Sequence, residues 1–264
     1  MLGVGRLRGV VVALKVNKSM TYSRVEQAAR NNAVWCETIC CVHGTPGEFH
    51  DTLWLNRHPV PRFYPNVVTL APQAGTVAQL AHIQALVATG LPGRWGVKDS
   101  FCALDLTALG FQPLFDATWL WRAPCQPLPS RAASELHWTW VQSASELAQW
   151  ETAWSGSPAN NPSPQHPRLF LPALLAHPEI VFIVAYQHQD VVAGAIAHHT
   201  DEVVGLSNVF VPPTAPVACW AGCVAMAQER FPGVPMVGYE HGPALALAQE
   251  IGFAMLHPLQ IWTR

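Results

Sequence analysis

Charge is the scarcest property of this 264-residue chain. Only 12% of the residues are Asp, Glu, Lys or Arg, and the formal net charge is -2. A surface for nucleic acid or for an anionic membrane needs a cluster of basic residues, and 15 Lys and Arg against 17 Asp and Glu do not supply one. The composition therefore argues against both partners. Half of the residues are hydrophobic, which is typical of a folded protein and not of a disordered one.

Long apolar runs are also lacking. No stretch approaches the ~20 consecutive apolar residues of a membrane-spanning helix. The run at 10–14 is shorter than the roughly 7–15 residues of a signal-peptide core. We therefore expect neither a membrane span nor a signal peptide, and we treat residues 1–19 as an extension that precedes the folded part.

The seven cysteines are an odd number and lie mostly in apolar helical patterns. This usage predicts reduced thiols and a cytoplasmic location. Cys36, Cys40, Cys41 and His43 lie close together, but no second ligand pair follows at the spacing of a zinc site. We interpret them as a buried helix face and predict no metal.

The last third of the chain, residues 181–264, has the clearest pattern. Apolar runs and two hairpin-like breaks predict the order β-β-β-α-β-α-β. The predicted elements are strands at 181–186, 191–198, 203–211 and 234–240, helices at 217–231 and before Gly252-Phe253, and a closing strand through Ile261-Trp262. Helical crossovers require parallel neighbours, so the predicted fold class is α/β with a mixed sheet.

The first half repeats part of this pattern. Helices are predicted at 23–42, 76–89 (capped by Thr76, with Val77 on its apolar face) and 101–109, and strands at 66–70, 94–97 and 113–122. An offset of 142 residues aligns Leu109-Gly110-Phe111 with Ile251-Gly252-Phe253 and Asn66-Val67 with Asn208-Val209. We predict two related halves, at 20–125 and 135–264, joined by a Pro-rich linker at 126–134. The alternative is two generic α/β halves of unrelated origin.

The second half resembles the GNAT superfamily of acyl-CoA N-acyltransferases. The resemblance depends on residues 237–240 (Val-Gly-Tyr-Glu), the helix after them, Gly252-Phe253 and the closing strand with Leu259 and Trp262. Residues 206–212 resemble the fourth strand of that family. The first half is similar to a truncated copy. The resemblance implies a tandem GNAT-like fold with a degenerate N-terminal copy.

This family implies acetyl-CoA, or another acyl-CoA, as co-substrate and a small-molecule or peptide amine as acceptor. The fourth and fifth strands splay and the acyl-CoA lies between them, with its pyrophosphate at the start of the next helix. The implied cofactor-binding residues are Val209, Phe210, Val211, Thr214, Ala215, Val217 and Ala218. Glu240 is the candidate base or amine-orienting carboxylate, with a water as the alternative base. Tyr239 is the second candidate catalytic residue, and Asn208 and His241 are the candidate substrate-binding residues.

The sequence departs from the family in the phosphate-binding loop. Residues 212–220 contain neither glycine nor Arg, and Pro216 removes one backbone N–H. The family tyrosine is replaced by Ala248, and a frequent asparagine by Gly242. Two hypotheses follow: an N-acyltransferase that works by direct transfer, which we favour, or a non-catalytic binding or interaction module that has lost CoA. Splayed strands at 203–211 and 234–239 would favour the enzyme, and a sealed wedge would favour the module.

Each candidate site residue also has a structural interpretation. Glu240 could be a helix N-terminal acid, Tyr239 a core aromatic and Asn208 a strand-end hydrogen-bonding residue. His198 and His199, before Asp201-Glu202, are interpreted as a solvated hairpin tip rather than an acid/base or metal cluster. There is no Gly-x-Ser-x-Gly around Ser207, which argues against a hydrolase. Low charge and eleven Trp make a homodimer an expectation.

Overall fold

The computed structural model describes residues 22–72, 75–128, 136–156 and 167–264. The predicted extension at 1–19 and linker residues 129–134 lie outside these ranges. The described residues form five α-helices and eleven strands. The helices are α1 Arg24–Val42, α2 Thr76–Ala88, α3 Ala144–Ser155, α4 Pro216–Arg230 and α5 Gly242–Glu250. The strands are β1 Glu48–Phe49, β2 Leu53–Leu55, β3 Val67–Thr69, β4 Gly96–Asp99, β5 Gln112–Arg122, β6 His137–Trp140, β7 Ile180–Gln187, β8 Asp190–Thr200, β9 Val203–Phe210, β10 Met236–Glu240 and β11 Ala254–Thr263.

All eleven strands belong to one mixed sheet in the order β1-β2-β3-β4-β11-β5-β10-β9-β8-β7-β6. The order is symmetric about its centre, where β11 and β5 pair antiparallel. Outward from this pair, β4 and β3 lie on one side and β10 and β9 on the other, and both outer pairs are parallel. This arrangement agrees with the 142-residue repeat and confirms the predicted tandem α/β fold.

The two closing strands are exchanged between the halves. β11 pairs with β4 of the first half, and β5 pairs with β10 of the second half. Consequently neither half has a complete sheet of its own. The division into domains at 126–134 therefore remains a prediction, because the hydrogen-bonded sheet runs through both halves.

The helices cover the sheet in two layers. α1 and α3 pack on one face, with buried Trp35 and Trp150 in their shared core. α4 and α5 pack on the opposite face, around Trp220 and Phe253. α1 lies over the centre of the sheet, against strands of both halves.

α1 forms where the sequence predicts it. Ser23 Oγ accepts a hydrogen bond from the Glu26 N–H (3.3 Å), and the Glu26 carboxylate accepts one from the Ser23 N–H (2.8 Å). This capping box satisfies two N–H groups that the helix leaves unpaired. Small buried residues, including Cys36 and Cys40, form the face towards the sheet. All seven cysteines are free thiols, and burial raises the pKa of Cys36 to about 11, so it stays protonated.

Two local predictions in the first half are wrong. Residues 101–109 do not form a helix, and only Thr107–Leu109 makes a 3₁₀ turn. The carboxylate of Asp99 accepts hydrogen bonds from the N–H groups of Leu104 (2.8 Å) and Phe101 (3.3 Å), and Cys102 has a left-handed φ of 48°, which a right-handed helix does not allow. Thr76 does not cap α2, since Gly75 is the N-cap, and Val77 is 83% exposed instead of packed.

Candidate functional site

Strands β9 and β10 separate after a short parallel contact. They pair only at Met236–Val204 and Val237–Gly205. A bulge on β9 accompanies the separation: Gly194 and Ile196 of β8 face Phe210 and Ser207, so β9 carries one extra residue. Asn208 lies in this bulge with a φ of 53°. Bulges bend a strand and take backbone groups out of the ladder, which opens the wedge that the enzyme hypothesis requires.

A cavity of about 270 Å³ extends from this wedge on the face covered by α1. Its walls are residues 205–209 of β9 and 237–240 of β10, with Asn31 and Asn32 of α1 above them. Lys98 of β4 and Phe115 of β5 close the side that faces the first half. The site is therefore assembled from both halves of the chain.

Glu240 ends β10 at the cavity wall and is half-buried. Burial raises the pKa of its carboxyl to about 7. The cause is loss of hydration, because a carboxylate is less stable away from water. A carboxyl with a pKa near 7 can accept a proton at neutral pH and release it again. This environment suits a general base better than it suits a helix N-terminal acid.

The other predicted substrate and catalytic residues meet at the same cavity. Tyr239 lines it, and its ring lies edge-on to Trp119 (5.5 Å) and beneath Lys98 Nζ (4.2 Å). Tyr239 thus belongs to both the core and the cavity wall. Asn208 lines the cavity from the bulge, and His241 lies exposed at the rim with its ring against Phe115 (4.8 Å).

The residues implied for the cofactor are spread along the wedge and the start of α4. Val209 lines the cavity. Phe210 packs on Trp150 (5.3 Å) and does not line that cavity, and Val211 is partly buried against the core beneath α4. Thr214 is exposed in the loop, Ala215 is the N-cap of α4, and Val217 and Ala218 lie in its first turn.

The start of α4 has no competing anion among the described residues. No side chain caps it, its first turn contains no acid, and the first helical hydrogen bond runs from Cys219 N to Ala215 O (3.1 Å). The N–H groups of Val217 and Ala218 are left for a ligand, since the first turn of a helix has no internal acceptors for them. Residues 213 and 214 of the loop before α4 are exposed to solvent.

Four polar residues at the site were missed from the sequence or misinterpreted. Lys98 is 3% exposed, and its Nζ donates to Asn32 Oδ1 (2.7 Å). Asn31 Nδ2 donates to the His198 carbonyl (2.9 Å). Local periodicity gave no signal for these contacts, because they join α1 to distant strands. The one available signal was Lys98 itself, a lysine directly after Trp95-Gly96-Val97 and within a buried strand.

The interpretation of His198 as part of a solvated hairpin tip is wrong. His198 is 3% exposed, lines the cavity and packs beside Trp35 (5.5 Å). Burial lowers the pKa of its imidazole to about 4, so it is neutral at pH 7. β8 extends to Thr200, which moves the hairpin beyond both histidines. No cluster of metal-ligating side chains occurs within the described ranges.

The equivalent wedge of the first half is closed. β3 and β4 pair at Val67–Val97 and Val68–Lys98. Just beyond, Thr69 Oγ1 donates to Asp99 Oδ1 (3.4 Å) and accepts from the Ser100 N–H (2.8 Å). Gly75 lies at the start of α2. Thr52 and Gln79 pack close to it, so its backbone offers no open site for a phosphate.

No protein-family model matches the chain, and no curated protein matches its sequence. Among solved structures, a GCN5-related N-acetyltransferase from Kribbella flavida is 14% identical, with a TM-score of 0.57, 89% of this chain and 95% of that chain covered. One from Sphaerobacter thermophilus is 11% identical, with a TM-score of 0.54 and coverages of 90% and 93%.

A tandem GNAT protein from the clavulanic acid biosynthesis pathway is also similar. It is 10% identical, with a TM-score of 0.51 over 90% of this chain and 95% of that one. No helix in the described part of the chain is long and apolar enough to cross a membrane. Identities this low establish architecture only. The chain has the fold of the GCN5-related N-acetyltransferases, in a tandem arrangement.

Proposed function

We propose that the protein is an N-acyltransferase that moves an acyl group, acetyl in the first instance, from acyl-CoA to an amine by direct transfer. The observation that carries this proposal is the open wedge between β9 and β10, with Glu240 at its wall. A fold alone does not specify a reaction, so the proposal depends on this site. We also keep the cytoplasmic location as a proposal, based on the seven free thiols.

An acyl-CoA fits the residues of the second half. Val209 and the bulge would lie beside the acyl end, and the N–H groups of Val217 and Ala218 would donate to the pyrophosphate. The thioester supplies an activated acyl carbon. The missing glycines of residues 212–220 predict a weaker hold on phosphate than a glycine-rich loop would give, because side chains and Pro216 limit close approach.

Different residues of the cavity carry out the two proton transfers that the reaction needs. Glu240 accepts a proton from the acceptor amine, which frees the nitrogen lone pair for attack on the acyl carbon. A backbone N–H released from the ladder by the bulge at Asn208 donates to the carbonyl oxygen as negative charge develops there. The carbon–sulfur bond breaks as the new carbon–nitrogen bond is completed. Tyr239 is the candidate donor of the proton that the departing thiolate takes up.

The second candidate function is a GNAT-fold module without catalysis. The glycine-free loop favours it, and so does Ala248 in place of the family tyrosine. The open wedge argues against it, because a module has no need to keep two parallel strands apart at the cost of their ladder hydrogen bonds.

Calorimetric titration of acetyl-CoA separates the two. We expect binding with one site per chain, since the wedge of the first half is closed. Val209→Trp should abolish binding by filling the wedge, whereas Val77→Trp, at an exposed position of α2, should leave it unchanged. No heat of binding at millimolar acetyl-CoA would contradict the enzyme, and a stoichiometry of two would contradict the closed first half.

A further inference from the structure

Lys98 is a buried cation without a carboxylate partner. Its side chain is 3% exposed, its Nζ donates to Asn32 Oδ1 (2.7 Å) and lies 4.2 Å from the centre of the Tyr239 ring. Among the described residues, no Asp or Glu forms an ion pair with it. The neighbouring Asp99 instead receives backbone N–H groups. Buried charges are normally paired, because removing an ammonium from water is costly.

Lys98 is one of the residues that line the cavity. An amide oxygen and an aromatic ring occupy two of its sides, and the ammonium has three donors. The cavity wall opposite α1 carries Glu240, the only Asp or Glu among the described residues that line this cavity. The two groups form no ion pair with each other. Each is therefore available to a ligand of the opposite charge.

We propose that the acceptor is a small amine that also bears a carboxylate, with Lys98 binding the carboxylate and Glu240 receiving the amine. This inference rests on the proposed function and specifies its substrate class. A single ammonium supported by neutral amides matches one negative charge. A phosphate dianion would call for further cations or an Arg fork. A cavity of about 270 Å³ suits a molecule of amino-acid size.

The placement of Lys98 also gives the first half a role. Lys98 lies on β4, and its side chain reaches Tyr239 of β10 beneath α1. In the first half itself, the next residue, Asp99, helps to close the equivalent wedge. The degenerate copy thus contributes the acceptor-binding cation to the active site of the second half.

Matched pairs of amines test the proposal without any mutation. The probes are the proteinogenic L-amino acids and their decarboxylated counterparts, for example phenylalanine and 2-phenylethylamine. Release of CoA from acetyl-CoA is followed for each, together with calorimetric binding of acetyl-CoA alone. We expect at least one amino acid to be acetylated with a kcat/KM about 10–100-fold above that of its decarboxylated partner, the range of one charge-assisted hydrogen bond.

Variants of Lys98 then locate the effect. Lys98→Met keeps the length of the side chain and removes its charge. It should raise KM for the amino acid about 10–100-fold while changing kcat little, and should leave the decarboxylated partner unaffected. Lys98→Arg should restore part of the preference. Arg57→Met, which removes an exposed cation on the surface, is the control and should change neither substrate.

The outcomes separate the two proposals. If acetyl-CoA does not bind, the proposed function itself fails. If acetyl-CoA binds but no amino acid is acetylated, or both members of every pair react equally, the carboxylate proposal is overturned and the acyltransferase stands. A loss in Lys98→Met that is equal for both members would assign Lys98 a structural role. Should Lys98→Met not fold, the paired substrates on the unmodified protein still decide the question.

Discussion

Glu240 is the proposed base, and its protonation should be visible in the rate of acyl transfer. Its pKa is raised to about 7 by burial, so the carboxylate that we propose as the base forms as pH rises through about 7. We expect kcat/KM to increase with pH across this range. Glu240→Gln should lower kcat by about 10²–10⁴-fold and remove the dependence, while the affinity for acetyl-CoA is unchanged.

Glu250→Gln, an exposed glutamate at the end of α5, is the matched control and should behave as the unmodified protein. A Glu240→Gln variant with an unaltered pH profile would exclude Glu240 as the base. If kcat/KM of Glu240→Gln still rises with pH but around a different pH value, Glu240 shifts the pKa of another group that acts as the base.

The same raised pKa has a consequence for stability. Between about pH 4.5 and about pH 7 the folded state binds more protons at Glu240 than the unfolded state does, so the free energy of unfolding falls as pH rises. The contribution of the protonated carboxyl is fully present below the unfolded pKa and is lost as pH rises through the folded pKa. Glu240→Gln cannot ionise. Its stability relative to the unmodified protein should therefore improve by about 1–2 kcal/mol between about pH 5 and about pH 8, allowing for partial solvent screening.

Urea unfolding at the two pH values measures this difference. A gain that is the same at both would show that Glu240 ionises as freely in the folded protein as in the unfolded chain.

At the residue scale, the sequence motif was sufficient to locate Glu240, Tyr239 and Asn208 at one cavity. It was not sufficient for Lys98 or His198, because their environments arise from contacts between distant segments.

At the scale of elements, α1 packs over the cavity, and one close contact with β9 fixes its position. Gly205 lies directly beneath the Asn31 side chain, and a Cβ there would overlap Asn31 Oδ1. Asn31 in turn donates to the His198 carbonyl (2.9 Å) and to Thr200 Oγ1 (2.8 Å). The absence of a side chain at position 205 therefore lets a helix polar group reach the sheet beside the wedge.

Gly205→Ala should displace Asn31 and reduce the free energy of unfolding by about 1–3 kcal/mol. Asn31→Ala alone loses the two hydrogen bonds and should cost a similar amount. The double variant should cost less than the sum of the single variants, because the overlap disappears with the Asn31 amide. Additive losses in urea unfolding would contradict this contact.

Elements were predicted well where the local sequence determines them. α1 follows from a capping box and a periodic small-residue face, and β7 to β11 follow from apolar runs with clear breaks. The helix expected at 101–109 failed because Cys102 has a left-handed φ of 48° and the N–H of Leu104 donates to Asp99 instead of to a helical carbonyl. The bulge at Asn208 had no sequence signal, although it opens the wedge.

The whole molecule depends on the exchange of β5 and β11. The 142-residue repeat indicated two related halves, but it did not indicate that their closing strands would cross over, because pairing between such distant segments leaves no local pattern. The exchange places β4, and with it Lys98, near the wedge of the second half. Arg122, at the end of β5, strengthens the connection: its guanidinium donates to the carbonyls of Ile251 (3.0 Å) and Gln126 (2.6 Å).

This topology predicts that the halves do not fold separately. A fragment of residues 135–264 lacks β5, so β10 has an open edge and β11 loses both of its partners. We expect this fragment to be unfolded or aggregated alone, because unpaired strand edges are templates for association. A fragment of residues 1–134 should fail similarly without β11. Co-expression should restore a stable one-to-one complex, since the break falls between β5 and β6 and cuts no strand pairing.

Gel filtration with circular dichroism distinguishes the outcomes, and acetyl-CoA binding by the complex tests whether the site is rebuilt. A monomeric, cooperatively unfolding 135–264 fragment would contradict the exchanged arrangement.

Arg122→Ala tests the same connection in the intact chain. It removes buried hydrogen bonds that join β5 to residues following α5, and should lower the free energy of unfolding by about 2–4 kcal/mol. If Arg122→Ala also weakens assembly of the two fragments, its hydrogen bonds contribute to their association beside the strand pairing.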